Sequence, residues 1–251
     1  MPKFFVTQNQ VQNETIYVTG EDVNHIKNVL RMKVNDILTI CIKETQKDTT
    51  CKIQELKDDC IICKILETVE NQVESNIKVS IFQGLPKGDK MELIIQKSVE
   101  LGVYDIYPVK MKRCVVKLDN KDEKKKITRW QKISEVAAKQ CGRGIVPEIK
   151  QVVTVADICK KISEYDVVLV AYEGEKDNCI KTELKKLINV VSTQQEVKIA
   201  VVIGPEGGID SQEIMDLQKS GAKVVTLGKR ILRTETVAFN VLSNIMYELE
   251  T

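Results

Sequence analysis

The chain has 251 residues, with 38 Lys and Arg against 36 Asp and Glu and a formal net charge of +2. That length supports one large domain or two small ones with a sizeable core, and so balanced a charge falls short of the basic footprint of a protein that is cationic over its whole surface. No apolar run approaches the roughly 20 residues of a membrane helix, and the opening MPKFFVTQNQ lacks a signal-peptide apolar stretch; a cytoplasmic protein with no membrane partner and reduced cysteines is expected.

Short strands are predicted at residues 4–6, 15–18, 36–42, 50–56 and 60–66. TICI, CKIQEL and IICKIL are rich in β-branched residues, and the polar turns KETQKDTT and LKDD separate them. Strands so closely spaced suggest a small barrel. Between them, EDVNHIKNVLRM carries Val23, Ile26, Val29 and Leu30 at helical spacing. Cys60 and Cys63 form a C-x-x-C, but on a strand they point to opposite faces. With no second pair to complete a ligand set, no metal is expected. The polar, aperiodic stretch 68–76 reads as a linker, dividing the chain into residues 1–70 and 71–251.

Beyond it, strand and helix patterns alternate. IKVSIFQ, VYDIYPV, DVVLVAY, VKIAVVI and AKVVTLG read as strands, with a weaker one at 148–152. Helices are predicted at 89–101, 121–141, 155–163, 179–190, 210–220 and 234–249. Such alternation implies an α/β domain with a mainly parallel sheet and helices on both faces. The final helix aligns Val237, Ala238, Val241, Leu242, Ile245, Met246 and Leu249 in a stripe broad enough to meet a core and a second subunit.

One strand, VKIAVVI, runs straight into GPEGG. Glycines at a strand's carboxyl end suit either a tight turn into the next helix or a main-chain cradle for a ligand. Asp210 or Ser211 can cap that helix, with Glu213 at the capping-box position. The loop matches neither the dinucleotide nor the P-loop pattern. TLGKRILRTETVAF repeats the arrangement: strand, Gly228, a basic and apolar loop, then a helix opened by Thr234. Two such loops can converge on one pocket, with Lys229, Arg230 and Arg233 bringing cations to it.

GPEGG followed by LGKRILRTET resembles the RsmE family of SPOUT-class RNA methyltransferases. HIKNVLRMKVND, LPKGDKMELIIQKSVELGV and RWQKISEVAAKQCGR resemble three further family blocks, so the likeness runs in order along nearly the whole chain. Departures are Asn35 where glycine is usual, Lys3 where arginine is common, and Val237 where alanine is common. The resemblance implies a PUA-like β-barrel ahead of a trefoil-knotted α/β domain, and a homodimer. It implies S-adenosyl-L-methionine as cofactor, held by the loop after VVLVAY, by GPEGG and by LGKRILRT. The implied reaction is methylation at N3 of a uridine in 16S ribosomal RNA of the small subunit. Related knotted enzymes acting on transfer RNA or a ribose 2'-hydroxyl, and a non-catalytic ribosome assembly factor, remain as alternatives.

On that reading the cofactor-binding candidates are Gly204, Pro205, Glu206, Gly207, Leu227, Gly228, Ile231, Leu232 and Thr234. Uracil N3 becomes nucleophilic only as its proton leaves, so the site needs cations that favour the anion or a proton acceptor. Arg233 is the candidate for the first role and Glu206 for the second, which would require a raised pKa. Lys3, His25, Arg31, Lys87, Lys90, Arg113, Arg143 and Arg230 are candidates for RNA contact, and Trp130 reads as core.

Overall fold

The computed structural model describes residues 3–250. The chain divides into two compact units, one of Met1–Glu74 with Ala138–Val146 and one of Ser75–Ala137 with Pro147–Thr251.

The first unit contains β1 (Lys3–Val6), β2 (Val11–Gln12), β3 (Thr15–Thr19), the single turn α1 (Glu21–Asn24), β4 (Ile37–Ile42), β5 (Lys47–Leu56) and β6 (Cys60–Glu70). Its six-stranded sheet has the order β1-β4-β5-β6-β3-β2. β1 and β4 are parallel, with Phe4 opposite Ile40, and the other pairs are antiparallel. Alternate residues point inward, as the pleat requires: Leu38, Ile40 and Ile42 meet Ile16, Val18, Ile53 and Ile61 in one core. Cys51 and Cys63 belong to that core, and burial pushes both thiols up to about 12. Cys60, at the start of β6, is only half-buried.

Three sequence expectations change here. β5 begins at Lys47, inside the predicted turn, and β6 runs to Glu70, inside the predicted linker. These polar ends pair with each other, Thr49 opposite Thr68 and Lys47 opposite Glu70, because ladder hydrogen bonds do not require apolar side chains. The predicted helix shrinks to α1 and a π-turn at His25–Val29. Val23 and Ile26 are buried, whereas Val29 is exposed. Asn35 has φ +78, a conformation that glycine adopts freely and asparagine tolerates.

The second unit contains β7 (Ile77–Gly84), α2 (Lys90–Glu100), β8 (Asp105–Lys110), α3 (Asn120–Cys141), whose last residues belong to the first unit, β9 (Glu148–Ile149), β10 (Val153–Thr154), α4 (Val155–Lys161), β11 (Val167–Ala171), α5 (Ile180–Val191), β12 (Val197–Ile203), α6 (Ser211–Lys219), β13 (Lys223–Val225) and α7 (Thr234–Leu249). The sheet has the order β10-β8-β7-β12-β11-β13, and β9 also pairs with β8. Every pairing is parallel. The weak strand expected at 148–152 is thus two short pieces on one edge.

One sheet face packs Phe82, Val168, Val170, Ala200 and Val202 against α4 and α6. On the other, α7 contacts α2, α5, β7 and β12. Covered on both faces, β12 is buried at every position but Lys198, which explains its unbroken apolar run. Among the described residues no helix is long and apolar enough to cross a membrane.

Candidate functional site

Register brings four strand ends together. Gln83 of β7 lies opposite Ile203 of β12, Ile203 opposite Ala171 of β11, and Ala171 opposite Val225 of β13. All four strands run the same way, so the loops at 84–89, 172–179, 204–210 and 226–233 leave from one edge, the carboxyl edge where open α/β sheets bind ligands.

At that edge the backbones nearly touch. A Cβ on Gly84 would lie 2.7 Å from both the ring and the nitrogen of Pro205. One on Gly204 would meet the Ile209 side chain at 2.9 Å and the Gly208 carbonyl carbon at 3.0 Å. Gly208, at φ +71, donates its N–H to Pro205 O at 2.9 Å and closes the turn. Asp210 caps α6 with Glu213 in a capping box, as expected. Buried Gln83 donates to Thr234 Oγ1 at 2.8 Å, and Thr234 Oγ1 donates to Gly204 O at 2.7 Å. The Thr234 hydroxyl is therefore engaged in tying the start of α7 to the glycine loop, and the N-cap of α7 is Arg233.

Two adjoining cavities open over this edge. One, of about 350 Å³, lies between the 172–176 loop and residues 226–232; the other, of about 390 Å³, lies between the glycine loop, where Gly204, Pro205, Glu206, Gly208 and Ile209 line it but the expected Gly207 does not, and Ile231–Thr234. Ala171, Glu173, Ile231, Leu232 and Val237 line both. Each volume is within the range of small-molecule sites. Ile231 is 85% exposed, an apolar side chain offered at the mouth. Among the described residues, the main-chain groups of Leu227, Ile231 and Leu232 have no hydrogen-bond partner. Gly228, at φ +119, turns that loop in a conformation closed to other residues.

The charges correct one expectation. Glu206 accepts from Lys90 Nζ at 2.8 Å and from the Lys87 N–H at 3.1 Å. Burial favours its neutral form, but Lys90 and the Lys87 N–H outweigh this and hold the carboxyl below its usual range. A proton acceptor needs the opposite shift, and the bonds from Lys90 Nζ and the Lys87 N–H instead tie Glu206 to the residues after β7. Arg233, Arg230 and Lys229 are exposed and make no ion pair among the described residues. Arg233 does not engage Glu206 or Glu235, both of which face Lys90. No group of three or more His, Cys, Asp or Glu among the described residues is disposed to hold a metal ion.

A family described as RNA methyltransferase domain matches residues 73–246, and one described as RNA methyltransferase PUA domain matches 18–66. The chain is 37% identical over 254 residues to Ribosomal RNA small subunit methyltransferase E of Bacillus subtilis, spanning 100% of this chain and 98% of the relative. This chain belongs to the ribosomal RNA small subunit methyltransferase E family. The Mesomycoplasma hyopneumoniae member is 32% identical over 97% of the chain and 98% of the relative. Among solved structures, the Neisseria gonorrhoeae methyltransferase E bound to S-adenosyl methionine matches with TM-score 0.81 at 29% identity, over 99% of this chain and 98% of that one. A putative methyltransferase of Legionella pneumophila in complex with the same cofactor matches with TM-score 0.85 at 29% identity, over 98% and 96%.

For an RNA methyltransferase of this family, the predicted RNA contacts separate into three groups. Arg230 stands at the cavities, while Lys87, Lys90 and Arg113 flank the glycine loop, with Lys90 paired to Glu206 at 2.8 Å and Arg113 Nη1 3.2 Å from Gly207 O. His25 and Arg31 are exposed in the first unit, the imidazole edge-on to Phe4. Lys3 and Arg143 are corrected: both are buried in that same unit. Lys3 Nζ lies 2.7 Å from Asp48 and 3.0 Å from Gly142 O. Arg143 forms a two-pronged pair with Glu74, both contacts at 2.8 Å. Neither side chain is presented to a phosphate. Trp130 is buried, as expected. Sequence reasoning missed Gln83, Gly84 and Glu173. Gly84 stands in QGLPKGD and carried a usable signal, a glycine ending a predicted strand.

Proposed function

We propose that this chain transfers a methyl group from S-adenosyl-L-methionine to N3 of a uridine in 16S ribosomal RNA of the small subunit. The observation that carries this reading is the convergence of the two glycine-turned loops on adjoining cavities at one sheet edge. The lining fits such a cofactor. Leu227, Ile231 and Leu232 offer apolar walls and free main-chain groups for an adenosine, and the glycines Gly84 and Gly204 let the loop backbones pack closely enough to form the floor beside them. When bound, S-adenosylmethionine supplies a methyl made electrophilic by its sulfonium. The residues of this chain then orient the uracil and favour the anion formed when N3 gives its proton to solvent, so that N3 takes the methyl and the neutral thioether S-adenosylhomocysteine is left behind. Arg233, exposed at the N-cap of α7 and lining one cavity, is the candidate cation for that anion. Arg230 and Lys87 suit the phosphates around it.

The knot belongs to the same proposal. Residues 172–180 hold the end of β13 through Tyr172 N–H to Val225 O, Thr226 N–H to Asn178 O and Ile180 N–H to Thr226 O, and α7 then packs on α2 and α5. So do a homodimer, supported by Tyr247, 88% exposed on α7, and a cytoplasmic location.

Mass spectrometry of small-subunit RNA from cells lacking the protein tests the reaction. The expected result is the loss of one methyl on a uridine, restored when purified protein, small subunits and S-adenosylmethionine are combined. An unchanged methylation pattern would refute it.

A further inference from the structure

The cavities pose an electrostatic problem. Lys176, Lys229 and Arg230 line one and Lys90 and Arg233 the other, yet the methyl donor itself carries a sulfonium cation. Three carboxylates line the cavities. Glu206 is engaged by Lys90. Glu175 accepts the N–H groups of Lys176, Asp177 and Asn178 at 2.9, 2.8 and 3.1 Å, contacts that hold it below the usual carboxylate range. Glu173 alone lines both cavities, is exposed, and has no ion pair or hydrogen bond among the described residues.

Its loop is braced to present it there. Tyr172 donates its N–H to Val225 O, and Glu175 donates its N–H to Tyr172 O. A Cβ on Gly174 would fall 2.5 Å from the Tyr172 ring, so the chain turns tightly after Glu173. The carboxylate points across the site to the glycine loop, with Oε1 2.6 Å from where a Gly208 Cβ would stand.

We infer that Glu173 is a specificity-determining residue that recognises the donor's sulfonium charge, holding the charged donor in a cationic site and favouring it over the neutral demethylated product. This inference rests on the methyl-donor reading of the same cavities. Opposite charges in a partly desolvated site attract strongly, whereas a thioether at the same place gains nothing from a carboxylate.

Isothermal titration calorimetry tests it with three probes: S-adenosylmethionine, sinefungin, which carries an ammonium in place of the sulfonium, and S-adenosylhomocysteine, which is neutral at sulfur. Glu173→Gln should weaken the first two about tenfold and the third less than about twofold. Glu173→Asp should retain most of the discrimination, and both variants should melt with the wild type. An equal loss for all three probes would mean that Glu173 contacts the shared amino-acid or adenosine part, and an unchanged affinity for all would mean no contact; either overturns the inference. Wild-type protein that binds none of the three would instead refute the methyl-donor site itself.

Discussion

Gly204 sits where three stretches of backbone meet, and it has no space for a side chain. Gly204→Val forces branched carbons into the Ile209 side chain and the Gly208 backbone, and the displaced loop carries its cavity wall with it. Affinity for S-adenosylmethionine should fall at least about tenfold by calorimetry, and an unaltered affinity would remove this loop from the binding site. Glu206 teaches the converse lesson. Its place in GPEGG suggested acid–base chemistry, but a base must be easily protonated, and Lys90 with the Lys87 amide makes this carboxylate harder to protonate. Neither partner is near it in the chain, so its environment was hidden from any local reading.

At the scale of elements, α7 was legible to the residue, because a broad apolar stripe and a threonine at its start mark a packed helix in the sequence. Its N-terminus does more than begin a helix. Thr234 ties it to Gly204 while Arg233, one residue earlier, is left free at the cavity. The two roles separate experimentally. Arg233→Ala should keep S-adenosylmethionine affinity within about twofold, since the main chain and Leu227, Ile231 and Leu232 are untouched. Turnover on small-subunit RNA should drop by about a hundredfold, the typical loss when one stabilising donor is removed from a developing anion. Single-turnover methylation at the wild-type rate would end its catalytic assignment. The first unit's helix was read less well, because helical spacing in EDVNHIKNVLRM includes Val29, which the π-turn leaves exposed.

At the scale of the whole molecule, stability depends on ties between segments far apart in sequence. Within the first unit, Glu74 receives both prongs of Arg143 and the N–H groups of Gly144 and Ile145. Burial raises the carboxyl, but these donors prevail and hold its pKa below the ordinary value. The stabilisation is therefore present above the unfolded value of about 4.3 and is lost as pH falls through the folded one. Glu74→Gln should cost about 3 kcal/mol at neutral pH, measured by urea unfolding, and should flatten the acid limb of the stability curve. An equally steep acid limb in the variant would show that other carboxylates govern it. What the sequence by itself determined was the order and type of most elements, the α/β alternation and the two glycine-bearing loops, because periodicity and glycine placement are local properties of the chain. Only the tertiary structure decided that Gly84 and Pro205 cross in contact, that Lys3 and Arg143 are buried ties, and that Glu173 faces the glycine loop. Each depends on strand register and on partners scores of residues away, which no local pattern encodes.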